Sequence, residues 1–321
     1  SNQHLLPVES KLITEFNNYN TSKTTYMKGG EFMKFAVIGG DERLSRLAPM
    51  LENEGHDVSC FALDNSPDCT VRSCALSAYA ATANADCVIL PLPVSRLPGK
   101  LNTPLSNFTY DLDEILGSIP IGTLVCAGKP NEDVKNLCKN YGLLLEDYFS
   151  REELVTLNAL ATAEGAISLL LQNTPTTIWE SHILIIGCGR IGRMLAERLR
   201  AIGGDVSVSS RKYSDMAYTR SIGCTPLDTR TLGEELSNFN TIINTVPSTV
   251  LHREQLEIIH KDTLIIDLAS RPGGIDFEAA KELDKKVIWA LGLPGKTAPE
   301  TAGKIIMETV FNILDEIKSE K

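Results

Sequence analysis

No C-x-x-C pair occurs among the eight cysteines of this 321-residue chain, which stand at 60, 69, 74, 87, 126, 138, 188 and 224. A chain this long needs no disulfide scaffold, and the tightest pair, Cys69 and Cys74, has no histidine nearby to complete a zinc site. Most of these cysteines sit in apolar runs, so free buried thiols in a reducing cytoplasm are the expectation, with no metal. Positive charge is scarce as well: 31 Lys and Arg stand against 41 Asp and Glu, a net charge of -10. That balance argues against a nucleic-acid surface or an anionic membrane surface, and an anionic small substrate would need locally clustered Arg and Lys. No run approaches the roughly 18 apolar residues of a membrane span. Residues 1–32 lack the basic and apolar regions of a signal peptide, and the strand-like run from Met33 reads like a protein start; 1–32 are therefore set aside as a leader, native or added. Repeats of 20 to 50 residues and low-complexity stretches are also missing.

What is present is alternation. From Met33, short β-branched runs at 34–38, 57–61, 87–90, 121–126 and 143–145 alternate with helical stretches at 42–54, 75–83, 111–117 and 131–140. Pro91 to Pro104 reads as a long loop. The pattern predicts an N-terminal flavodoxin-like or Rossmann-like α/β domain over 33–150, the substrate domain. A linking helix follows over 151–176, with apolar residues spaced for burial until Pro175 stops it. Further strands near 182–187, 205–209, 223–226, 240–245, 263–268 and 286–290 make a complete Rossmann domain over 177–296. The last segment, 297–321, is predicted as a helix from about 299 to 318 packing back towards the first domain. The fold class is thus α/β, with two doubly wound domains.

The strongest local signal is the strand His182-Ile183-Leu184-Ile185-Ile186 running into Gly187-Cys188-Gly189-Arg190-Ile191-Gly192 and then a helix. G-x-G-x-x-G at a strand end is the dinucleotide fingerprint. Gly187 permits the turn, Gly189 lets a pyrophosphate approach the backbone, and Gly192 lets helix and strand pack closely. The helix start, with Arg190 and Ile191, offers N–H donors and positive dipole to phosphate. A Rossmann-shaped domain that has lost its ligand would carry the same residues.

Cofactor type is read one strand later. An NAD site usually places Asp or Glu there for the ribose hydroxyls, whereas this chain has Ser209, Ser210, Arg211 and Lys212, which suit the 2′-phosphate of NADP. Thr245, Val246 and Pro247 close the fourth strand on the same edge and are added to the cofactor set. Arg271 and Lys296 close the fifth and sixth; both are cations inside Gly/Pro-rich turns, where backbone and charge can both meet an anion.

At this point the sequence resembles the family of dipicolinate synthase A subunits, whose second domain is related to the NAD-binding domains of adenosylhomocysteinases and D-2-hydroxyacid dehydrogenases. The resemblance lies in Val37-Ile38-Gly39-Gly40-Asp41-Glu42-Arg43, Val88-Ile89-Leu90-Pro91-Leu92-Pro93, the stretch from Asn158 to Ile167, the glycine fingerprint, and the stretch from Leu293 to Gly303. It implies NADP-linked oxidation of dihydrodipicolinate to pyridine-2,6-dicarboxylate on a branch of lysine biosynthesis used in sporulation. It also implies a partner, the flavoprotein-like B subunit of dipicolinate synthase, together with a cytoplasmic location in the mother cell. A homo-oligomer is compatible with it, and no catalytic base carries over.

Aromatising a dihydropyridine dicarboxylate needs hydride transfer, loss of a proton, and cations for two carboxylates. Arg43, Lys129, Arg151, Arg271 and Lys296 are the candidates at turns or element ends, and Lys296, Arg271 and Glu164 form the expected catalytic set. Glu164 stands in a small, apolar helical stretch where an unpaired carboxylate is costly. Two readings stay open: it lines the interdomain cleft with Thr162, or it is capped by a buried Arg. None of His4, His56, His182, His252 and His260 falls in a cleft turn, so the Arg-Glu-His set of 2-hydroxyacid dehydrogenases is not visible.

Overall fold

The computed structural model describes residues 32–66 and 74–319; the leader up to residue 31, His4 and Cys69 lie outside them. Two parallel sheets organise the chain, each buried on both faces, as the near-continuous apolar strands require. The first contains β1 (Lys34–Ile38), β2 (Asp57–Phe61), β3 (Cys87–Ile89), β4 (Leu124–Ala127) and β5 (Leu144–Asp147), in the order β2-β1-β3-β4-β5. Phe35, Val37, Cys87, Ile89, Leu124 and Cys126 face one core, while Ala36, Ile38, Val88, Leu90, Val125 and Ala127 face the other. Four helices accompany the strands: α1 (Glu42–Asn53), α2 (Ala78–Thr82), α3 (Leu112–Gly117) and α4 (Glu132–Asn140). Asp41 starts α1 by accepting the Arg43 backbone N–H, and Asn131 starts α4 in the same way through Val134.

The second sheet contains β6 (His182–Ile186), β7 (Asp205–Ser210), β8 (Thr225–Asp228), β9 (Thr241–Asn244), β10 (Leu264–Asp267) and β11 (Lys286–Trp289). Its order, β11-β10-β9-β6-β7-β8, is the doubly wound dinucleotide-binding order, reversing direction between β6 and β9. With it go α6 (Arg190–Ala201), α7 (Tyr213–Ser221), α8 (Arg253–Ile258), α9 (Phe277–Glu282) and α10 (Leu293–Thr297).

Two long helices join the halves. α5 (Glu152–Asn173) packs against α6, α10 and α11 (Pro299–Ser319), and is apolar around most of its circumference, with Leu157, Glu164 and Leu171 left exposed. Its length and mean hydropathy of 1.6 would also suit a membrane-crossing helix. The expectation of no such run is corrected here: Glu152 and Glu153 sit in its first turn, Leu154, Ala159, Ala163, Ala166 and Leu170 pack inside the protein, and Leu157 and Leu171 are exposed. α11 returns to the first sheet, where Ile306, Val310 and Phe311 join the core of Phe35, Leu44 and Leu47. A Cβ at Gly303 would lie 2.6 Å from the Arg43 carbonyl oxygen, so only glycine permits this helix contact. Arg151, at the start of α5, pairs with Glu316 of α11 and with Glu153.

Candidate active site

The carboxyl ends of β9, β6, β7 and β8 lie side by side in that order and build one edge. Gly187 follows β6 with φ +103° and donates its N–H to the Ser209 carbonyl at 2.9 Å, tying the glycine turn to the end of β7. A Cβ on Gly187 would strike Thr245 Oγ1 at 2.5 Å, and one on Gly192 would come within 2.0 Å of the Gly187 oxygen. Nothing lies within 4 Å of the Cβ direction at Gly189. Two glycines are therefore demanded by the protein's own packing. The third faces open space at the start of α6, where a pyrophosphate would meet free N–H groups.

On β7, Ser209 and Ser210 are 0% and 6% exposed, and neither hydroxyl has a hydrogen-bond partner. Buried hydroxyls are ordinarily paired, so an orphan at the end of β7 beside the glycine turn would suit a polar ligand; as successive strand residues Ser209 and Ser210 project to opposite faces. Arg211 and Lys212 follow on the surface, and no carboxylate pairs with Arg211 among the described residues. These residues fit a dinucleotide. Arg190, expected at the phosphates, instead pairs with Glu152 of α5. Arg193, which the sequence did not single out, pairs with Asp215 at 3.0 Å, donates to the Cys188 carbonyl and lies over the Tyr218 ring.

Beyond β6 the edge is held by a buried amide–carboxylate pair that sequence reasoning also missed. Asn244 Nδ2 donates to Asp267 Oδ1 at 2.8 Å and to the Val246 carbonyl at 3.0 Å. Asp267 accepts the N–H groups of Ala269 and Gly274, which shapes the turn bearing Arg271. The only hint was an acid ending the apolar strand Leu264-Ile265-Ile266. Arg271 lies over the Trp289 ring, 5.6 Å from its centroid. Lys296 is exposed on α10.

The residue before it touches the first domain. A Cβ on Gly295 would lie 3.2 Å from Arg43 Nε and 3.4 Å from an Asp41 carboxylate oxygen. Arg43 itself is buried, bonded to both Asp41 oxygens at 2.8 Å and to the Leu92 carbonyl. Burial alone would raise the Asp41 pKa, but the guanidinium outweighs it and holds the carboxyl below its ordinary value. Behind them Tyr148 is fully buried with its hydroxyl on the Leu90 carbonyl, and burial pushes that phenol well above its usual range.

Glu164 departs from expectation. Its side chain is 64% exposed and reaches 3.7 Å from Arg198 Nε on α6, so it is neither buried nor capped by a buried Arg. Gly165 next to it faces Leu293 and Thr297, whereas Glu164 falls on the flank towards α6, away from that contact. Thr162 is occupied within its own helix, bonded to the Asn158 carbonyl. Arg151 is committed to Glu316 and Glu153, and Lys129 is exposed on a left-handed turn. Of the expected catalytic set, Lys296 alone is shown beside the junction between the two halves. Among the described residues no three His, Cys, Asp or Glu converge as metal ligands.

Comparison with known proteins bears on both halves. Residues 34–149 match the N-terminal domain of the dipicolinate synthase A subunit, and residues 150–293 match the D-isomer specific 2-hydroxyacid dehydrogenase, NAD binding domain. The chain is 31% identical to the A subunit of dipicolinate synthase of Bacillus subtilis (strain 168) over 90% of its length and 98% of that protein's. The crystal structure of dipicolinate synthase, A chain, from Bacillus subtilis superposes with a TM-score of 0.78 at 32% identity, covering 91% of this chain and 99% of that one. The A subunit of dipicolinate synthase from Bacillus halodurans gives 0.79 at 28% identity, covering 88% and 97%.

Proposed function

The chain belongs to the family of dipicolinate synthase A subunits, and on that premise we propose that it oxidises dihydrodipicolinate to dipicolinate with NADP as the hydride acceptor. The observation that carries the substrate reading is the junction at Gly295, where α10 of the nucleotide-binding half packs on the Asp41–Arg43 pair, with the exposed Lys296 next in sequence. Gly295 against Arg43 seats the nucleotide-binding half on the first, and the exposed Lys296 that follows it would supply a local cation for a small dianion in a protein of net charge -10.

NADP, when bound, supplies the carbon that accepts the hydride. The substrate gives up a hydride and a proton, and the gain of aromaticity makes that exchange downhill, so the chain's task is chiefly orientation. Lys296 and Arg271 would hold carboxylates. Asp41 keeps Arg43 rigid, while the Asn244–Asp267 pair keeps the turn bearing Arg271 in one shape. Gly189 and the start of α6 at Ile191 would take the pyrophosphate on the turn that Gly187 and Gly192 shape, Thr245, Val246 and Pro247 would border it, and Ser209 or Ser210 with Arg211 and Lys212 would take the 2′-phosphate. The flavoprotein-like B subunit of dipicolinate synthase is the proposed partner.

The test is turnover of dihydrodipicolinate by the purified chain, alone and with that partner, using NADP and NAD in parallel and 2-hydroxy acids as competitors. NADP reduction with dihydrodipicolinate preferred over hydroxy acids is the expected result. NADP binding with no turnover under either condition would instead make this chain a nucleotide-binding component without chemistry of its own.

A further inference from the structure

β8 lies beside β7 in parallel register, with Ser209 opposite Leu227 and Ser210 opposite Asp228. Adjacent strands are about 4.8 Å apart, and residues in register project to the same face. The Asp228 carboxylate therefore flanks the orphaned Ser210 hydroxyl, at the end of the edge where the NADP reading places the 2′-phosphate. An unmatched acid there would repel a phosphate. It is not unmatched: Arg230 Nε lies 2.9 Å from Asp228 Oδ1, and its Nη2 lies 2.6 Å from Oδ2.

The backbone fixes this pair. Asp228 Oδ1 also accepts the Arg230 backbone N–H at 2.9 Å, capping a short 3-10 turn over Thr229–Thr231. The guanidinium is thereby returned onto the strand end, with its side chain still 56% exposed. Arg211 follows Ser210 directly and Arg230 stands two residues after Asp228, so the two arginines lie just past the paired ends of neighbouring strands.

We infer that Arg230, oriented by Asp228, is a second cation of the 2′-phosphate subsite and helps the protein choose NADP over NAD. The inference rests on the NADP reading and deepens it. Ser210, on the face of Asp228, provides a buried hydroxyl, Arg211 provides a cation with no carboxylate paired to it among the described residues, and Arg230 provides one whose orientation is set before the nucleotide arrives. Preorganisation of this kind lowers the ordering cost of binding.

The full-length chain is titrated with NADPH and with NADH, following nucleotide fluorescence, for the unchanged protein, Arg230→Gln, Arg230→Lys and Arg211→Asp. Arg230→Gln is expected to weaken NADPH about 5- to 20-fold, the range of one solvent-accessible charged hydrogen bond, with NADH changed less than about twofold. Arg230→Lys, which keeps charge but loses the planar fork, recovers part of the loss. Unchanged far-ultraviolet circular dichroism and melting temperature exclude loss of fold. If the unchanged protein prefers NADPH and Arg211→Asp abolishes that preference while Arg230→Gln leaves both affinities alone or weakens them equally, Asp228 and Arg230 only cap a turn and the inference is overturned. A protein that binds NADH at least as tightly as NADPH fails the NADP reading itself, separately from the role of Arg230.

Discussion

Lys296 concentrates the substrate reading in one side chain. It extends from a five-residue helix whose Gly295 rests against Arg43, and it is exposed, so its charge is available to a ligand. Lys296→Met keeps most of the length and deletes the charge. A loss of at least about tenfold in kcat/KM for the dicarboxylate is expected, with NADP affinity changed by less than about threefold, since the missing contact is to substrate. If NADP binding falls instead and the substrate dependence is untouched, Lys296 is a phosphate ligand. At this scale the sequence was legible where structure is local: the glycine turn after β6 lies within a few residues of the strand and helix it joins. Asn244–Asp267 was not legible, because 23 residues separate the partners and only the pairing of β9 with β10 sets them opposite one another. Glu164 misled for a related reason. Apolar neighbours in sequence do not show on which flank of a helix a residue falls, and here Leu157 and Leu171 are exposed as Glu164 is.

Strands were legible as elements because each is a short apolar run bounded by polar turns, and β1, β2, β6 and β7 lie within a residue of expectation. β8 is displaced by two residues, to Thr225–Asp228 from 223–226. Cys224 is held by the preceding turn through the Thr219 carbonyl, and the pairing with Ser207–Ser210 sets the register of an edge strand that tolerates Pro226. The helices α8, α9 and α10, of five or six residues, are too short to show a helical period. Where β2 begins, His56 packs between Phe35 and Phe311, with ring centroids 5.1 and 5.5 Å away, and its Nδ1 faces the Met33 N–H at 3.4 Å. Burial lowers its pKa below 6.5; Lys318 acts in the same direction and Glu54 opposes it. The unfolded chain therefore binds a proton more readily than the folded one, so stability falls as pH drops from above 6.5 towards the folded value. The melting temperature between pH 7 and pH 5 should decline more steeply for the unchanged protein than for His56→Gln. Parallel slopes for the two proteins would show that His56 does not titrate in the fold.

As a whole, the molecule is two parallel sheets tied by α5 and α11, and the alternation of runs made both sheets readable before any contact was known. The contacts that seat the halves together were hidden, since Gly295 against Arg43 and Gly303 against the Arg43 carbonyl join residues some 250 positions apart. Removing everything after Leu291 deletes α10 and α11 and uncovers Phe35, Leu44 and Leu47. Destabilisation of both halves is expected, as a drop in every calorimetric transition, whereas two unchanged transitions would contradict the role given to α11. The same helix sets a timetable for synthesis. The first sheet is complete in sequence at Asp147, yet Ile306, Val310 and Phe311 leave the ribosome roughly 160 residues later, about 8–32 s at ordinary elongation rates. Through that interval the part of the first core that Ile306, Val310 and Phe311 cover stays open, with α1 and Leu154 packed over that face until the last helix arrives to close it.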